Sequence, residues 1–302
     1  MDPEAVRLIL EGLEPTVERV RVGQLAHDGI YGCLLKAALA KNFEFNQLVF
    51  SNNEPGSHFA LNPSLRGLCE DVIGLKFLGT FKETDRDKAA LILANEQTNS
   101  LIQKQQDFFS VHRPMQSVLV NHKLSPDDGA GQRSKALRLQ LKEFRSTYQW
   151  TSRGDWPTIR EMADTTGLTT LYEYLYAVTS SFVHFSPRNL ARMGWGDVKT
   201  QVFEYSTSNF AAYYYAFNRF YGLFLLVTFI TTFASAMGCR SELQNLGDEL
   251  IQILHDEERW PELVTFEEMN FSTRNPFHNL NSPFGISNNA NTVPRQSYWQ
   301  WA

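Results

Sequence analysis

The chain lacks the signatures that most quickly give a protein its chemistry. Its 302 residues include three cysteines, Cys33, Cys69 and Cys239, far apart and without a C-x-x-C. A disulfide framework and a cysteine–zinc site are therefore disfavoured, and a reducing, cytoplasmic setting is expected. No G-x-x-x-x-G-K-[ST], G-x-G-x-x-G or G-x-S-x-G occurs, so P-loop, Rossmann and hydrolase-elbow readings have no support. The opening Met1-Asp2-Pro3-Glu4 offers neither the basic start nor the apolar core of a secretory signal. Neither sign of charge dominates: 28 Lys+Arg stand against 33 Asp+Glu, a net charge of −5. Nothing global thus draws the chain to nucleic acid or to an anionic membrane. His255-Asp-Glu-Glu258 lacks the second histidine of a zinc helix, and His112 and His122 have no acidic ligand near them, so no metal or cofactor is expected.

What is present is the composition of a globular protein, 43% hydrophobic and 20% charged, with helical periodicity throughout. Asp2-Pro3 reads as a cap followed by proline at the first helical position. Leu8, Leu10, Leu13, Val17 and Val20 follow at helical spacings. Further helices are expected over Gln24–Lys41, from Asn62-Pro63 to about Leu78, and from Thr84-Asp85 to Phe109. After a turn-rich loop at 125–131 come Ala136–Phe144, Trp156–Ala163, Thr169–His184, an uncharged stretch at 207–237 and Glu242–Glu258. The expected fold is all-α: a multi-helix bundle with a long apolar helix at its centre. Residues 1–268 read as the helical domain. Residues 269–302 read as an irregular tail rich in Asn, Pro and aromatics, which pure linkers lack, so the tail is expected to pack on the body or on a partner.

The uncharged residues between Arg219 and Arg240 are numerous enough for a membrane span. Thr228, Thr231, Thr232 and Ser235 dilute them, and a core helix without stable membrane insertion is the expectation.

Two helices carry polar residues in apolar surroundings. On the first, Arg66 and Glu70 share a face at i, i+4. Burying a charge requires a partner, so they form either a structural pair or one wall of a polar cavity. On the second, Tyr176, Ser180 and His184 fall along one stripe. A hydroxyl one turn before an imidazole can orient the ring for proton transfer, and Arg188, beyond Pro187, can hold a phosphate or carboxylate. Lys135, Arg138, Lys142 and Arg145 form a basic stripe that can track a phosphate backbone. Alternatively it is a solvated face, or meets the acidic 256–262 segment.

The linked pattern Arg66-x-x-x-Glu70, Ile159-Arg-Glu-Met-Ala163 and Leu171-Tyr-x-x-x-Tyr176-x-x-x-Ser180-x-x-x-His184-x-Ser186 resembles the uncharacterised bacterial helical proteins of the domain-of-unknown-function 5677 family, over roughly residues 60 to 240. The resemblance implies a helical fold with a polar site, in an accessory or phage-defence role. The chain is also similar to the HEPN helical ribonucleases, which place an arginine and a histidine on one helix. Here the positions before His184 are Tyr176, Ala177, Val178, Thr179 and Ser180, so Arg66 or Arg188 would have to take the arginine's place in space. That similarity implies metal-independent RNA cleavage, with His184 as acid or base, Arg66 or Arg188 on the phosphate and Glu70 orienting a cation. A second class of function stays open: a structural or regulatory interaction module in a homo-oligomer or protein complex.

Overall fold

The computed structural model describes residues 1–23, 29–54, 56–116, 129–151, 153–197, 200 and 202–264. Its helices are α1 (Pro3–Arg21), α2 (Ile30–Ser51), α3 (Ser57–Leu61), α4 (Ser64–Gly79), α5 (Glu83–His112), α6 (Ala130–Tyr148), α7 (Ile159–Thr166), α8 (Thr169–Val183), α9 (Pro187–Arg192), α10 (Ala211–Phe233) and α11 (Arg240–His255). The all-α reading therefore holds. It is interrupted by one small hairpin between α9 and α10, β1 (Gly194–Asp197) with β2 (Val202–Tyr205), in which Trp195 faces Glu204. Four-residue strands are too short for alternation to stand out in a sequence.

Local chemistry sets several ends. Asp2 caps α1 by accepting from the Glu4 amide at 2.9 Å, with Pro3 in the first turn. Thr158 and Glu161 form a reciprocal capping box at the start of α7, and Gly167 closes it at a φ of 71°. Asn62, expected to cap α4, does not: its amide is buried and donates to Asn218, and α4 begins without a side-chain cap. The start of the second helix at Gln24, residues 125–128 of the turn-rich loop, His122 and the aromatic tail lie outside the described residues.

α10 is the centre. It packs against α2, α3, α4 and α11, while α1 closes over α2 and α11. It is long and apolar enough to cross a membrane, yet 72% of that window is buried inside the protein. Its threonine hydroxyls are satisfied within the helix: Thr228, Thr231 and Thr232 donate to the carbonyls of Phe224, Val227 and Thr228 at 2.7–2.9 Å. Gly222 lets α2 approach, since a Cβ there would lie 2.7 Å from Phe45 Cε1. α4 sits between α2, α7, α8 and α10.

α5 and α6 pack on each other as a hairpin. In α5 the buried residues are Ala89, Ala90 and Ile92, and Leu93 and Gln97 still face the body, so beyond Gln97 the pair stands out from the body as an arm. Its inner face is polar: Glu96 receives Ser134 at 2.8 Å and Arg138 at 2.7 Å, and Arg133 donates to Asn99 at 3.0 Å.

Candidate functional site

Where α4 crosses α8, four residues meet. Arg66 Nε donates to Glu70 at 2.7 Å, both side chains 28% exposed. The same guanidinium lies 4.6 Å from the centre of the Tyr176 ring, and Tyr176 is 5.5 Å from Tyr172. The Glu70 hydrogen bond holds the Arg66 pKa above its ordinary value. Burial first, then the nearby Glu70 carboxylate, raises that of the Tyr172 phenol. Arg66 is therefore a satisfied cation, paired on one side and covered by an aromatic face on the other. Tyr172, which the i, i+4 stripe did not include, completes the cluster. Its position four residues before Tyr176 is the signal that would have found it.

The remaining stripe does not close on this cluster. α8 ends at Val183, and His184 is its C-cap in extended backbone, its amide bonded to the Ser180 carbonyl at 2.9 Å. The His184 side chain is exposed and has no hydrogen bond, ion pair or ring contact among the described residues. Eight residues of helix, about 12 Å of rise, separate it from Tyr176. Arg188 turns to the C-terminal strap and donates to the Leu263 carbonyl at 2.8 Å. Pro261 is held there too, its carbonyl accepting from Tyr174 at 2.7 Å and Tyr221 at 2.9 Å. Ser180 is half-buried; its neighbour Ser181 accepts from Asn189 at 2.9 Å.

On the basic stripe, Arg138 is committed to Glu96 of the same hairpin. Lys135 and Lys142 are exposed on α6, and Arg145 is half-buried.

The most deeply buried polar groups were not singled out from the sequence. Asn62 donates to Asn218 at 2.9 Å, Asn218 to the His58 carbonyl at 2.7 Å, and His58 Nε2 to the Asn52 carbonyl at 3.0 Å. Since a carbonyl only accepts, that bond fixes the proton on Nε2 and leaves a bare lone pair on Nδ1. Burial lowers the His58 pKa, so the ring is neutral. Asn46 donates to the carbonyls of Asn42 at 2.8 Å and Gly222 at 3.1 Å. Arg219 donates to the Val49 and Phe50 carbonyls at 3.3 Å, supplying the cation that the last turn of α2 lacks. Burial brings its pKa down to about 10, still a full charge at neutral pH. Arg192, also buried, lies 4.5 Å from the centre of the Tyr213 ring. These groups tie α2, α3 and α10 together; they were missed because their partners are up to 176 residues apart in sequence.

A cavity of about 360 Å³ opens between α4, α5 and α7, lined by Gly74, Leu78, Leu93, Trp156, Ile159 and Met162, with Gln97 and Thr158 as its polar side chains. It offers shape for an apolar group and no acid–base pair. Among the described residues no three His, Cys, Asp or Glu side chains converge as metal ligands would.

No curated protein and no solved structure matches the chain. A family model matches residues 54–200, from just before α3 through the Arg66–Glu70 helix, the α5–α6 arm and α8 to the end of the hairpin's first strand. That segment, just under half of the chain, matches a family of unknown function, DUF5677.

Proposed function

We propose that this chain is a non-enzymatic interaction module of a larger assembly, serving an accessory or defence role in a bacterial cell. The observation that carries the reading is the distal part of the arm, where Leu101, Phe108 and Val111 of α5 are 65%, 57% and 74% exposed and Met115, in the turn just beyond α5, is 96% exposed. Apolar side chains gathered in this way mark an interaction surface. The polar residues first considered for catalysis support the same reading through their commitments: Arg66 to Glu70 and Tyr176, Arg188 to the strap, Arg138 to Glu96. The test is the native size of the chain in extracts of cells that express it. A species larger than the monomer, reduced by Leu101→Asp with Phe108→Asp but retained by Glu70→Ala, is the expected result. A monomer in every case sinks the reading.

A second reading, metal-independent ribonuclease, has one observation in its favour. His184 is exposed at the end of α8, and the adjoining Phe185 is 86% exposed, so an imidazole and a ring on which a base can stack face solvent together. Lys135 and Lys142 would then guide the phosphate backbone. Total RNA incubated with chelator and either wild type or His184→Ala decides it: cleavage lost in the mutant at unchanged melting temperature establishes the nuclease, and intact RNA in both removes it as a constitutive activity.

A further inference from the structure

The cavity between α4, α5 and the 156–162 stretch lies at the root of the arm, where Leu93 and Gln97 form one wall. Another wall is bare because Gly74 stands there, inside α4, where alanine is the better helix former. Two other helical glycines make way for a neighbour: a Cβ at Gly222 would lie 2.7 Å from Phe45 Cε1, and one at Gly67 would lie 3.2 Å from Lys41 Nζ. A Cβ at Gly74 would meet nothing within 4 Å. No packing contact among the described residues explains this glycine. What its missing side chain leaves clear is the cavity that it lines.

We propose that this cavity binds a small, flat, uncharged molecule of two fused rings, with a hydrogen-bond donor and acceptor side by side on one edge, as in a lactam or a nucleobase. Four observations set that class. The first is size. The cavity measures about 360 Å³, whereas roughly 150 Å³ holds a single benzene ring in a dry apolar site; it falls at the lower end of small-molecule sites. The second is shape. Trp156 is half-buried, and its ring is braced by Trp150 at 5.4 Å and Phe77 at 5.8 Å. It is thus a fixed aromatic wall on which a planar ring can stack. The third is charge: no charged side chain lines the cavity among the described residues, so an ionised ligand would be desolvated without a partner. The fourth is the polar edge. The Thr158 hydroxyl is occupied by Glu161, whose amide it accepts from and whose carboxylate it donates to. Gln97 is exposed and makes no hydrogen bond among the described residues, which leaves its N–H and its carbonyl together for the ligand. The site is separate from the apolar side chains farther along the arm, so it stands whether or not they carry a partner.

Calorimetric titration of the purified full chain tests the proposal with three probes: quinolin-2-one, a two-ring lactam; its N-methyl derivative, which lacks the donor; and hypoxanthine, a nucleobase with a lactam edge. The expected result is one site per chain for quinolin-2-one or hypoxanthine, with a dissociation constant on the order of 100 micromolar. Tighter binding of hypoxanthine identifies a nucleobase, and tighter binding of quinolin-2-one an apolar lactam. The N-methyl derivative should bind about 10-fold more weakly than quinolin-2-one, and Gln97→Leu should close that gap. Gly74→Leu, which fills the cavity, should abolish binding while the melting temperature holds or rises. Gly74→Ala, which has room for its methyl group, should fold and weaken binding by a smaller factor. No binding of either lactam at millimolar concentration overturns the proposal, as does binding that a folded Gly74→Leu leaves intact. Equal affinity for quinolin-2-one and its N-methyl derivative, unaltered by Gln97→Leu, overturns the polar edge and with it the ligand class.

Discussion

The guanidinium of Arg219 lies 3.3 Å from the centre of the Tyr215 ring, four residues before it on α10, and from there reaches the last carbonyls of α2. One side chain of the central helix thus ends its neighbour, replacing the water that an exposed terminus would use. Truncating it with Arg219→Ala strips two buried carbonyls of their donor and removes a cation from the negative end of α2. The expected cost is about 3 kcal/mol in a denaturant titration. Arg219→Lys should recover only part of it, since an ammonium cannot present two donors in a fixed fork.

Acid should loosen the same region. The His58 pKa is lowered in the folded chain by burial, so the unfolded chain binds the extra proton first. Stability from this group is fully present above the ordinary histidine value, about 6.5, and declines as pH falls below it toward the lower folded value. Melting temperature measured from pH 8 to pH 5 should fall more steeply in wild type than in His58→Gln, which retains an amide donor for the Asn52 carbonyl. Parallel curves would show that other groups dominate the acid limb.

Gly222 should resist enlargement. Alanine is the better helix former, but its Cβ would stand 2.7 Å from Phe45 Cε1 and 3.0 Å from Asn46 Oδ1. Gly222→Ala should therefore destabilise by about 2 kcal/mol, read as a drop in denaturation midpoint. A stabilised variant would mean that α2 can shift without cost.

The Arg66–Glu70 pair should matter far less. Both groups are part-exposed, and such pairs contribute less than about 1 kcal/mol. Glu70→Ala should leave melting within a few degrees of wild type and leave assembly unaltered. A collapse of either would promote the pair to a structural or functional keystone.

How much of this was legible beforehand depended on the range of the interactions. The Arg66–Glu70 contact, the start of α8 and the burial of α10 are set within a few residues, and spacing or an uncharged run displays them; α7 instead opens at the Thr158–Glu161 capping box, three residues after the expected start at Trp156. The second helix runs to Ser51 rather than ending near Lys41, because Phe43, Phe45, Val49 and Phe50 are buried against distant elements that no local window contains. His184 fell off its stripe for a local reason instead: the chain turns extended just ahead of Pro187, so the periodicity that aligned it with Tyr176 and Ser180 stops one residue too soon. Asn218 and Arg219 look like incidental polar interruptions of an apolar helix until α2 and α3 are set beside them.

The strap after α11 has a mechanical consequence. Tyr174, Tyr221 and Arg188 grip the Pro261 and Leu263 carbonyls from α8, α10 and α9. A pull applied at Val264 is therefore shared among three helices at once and loads their hydrogen bonds in parallel. The force enters the body through its central helix before it can peel α11 away, so whatever is tethered beyond this point draws on α8, α9 and α10 together.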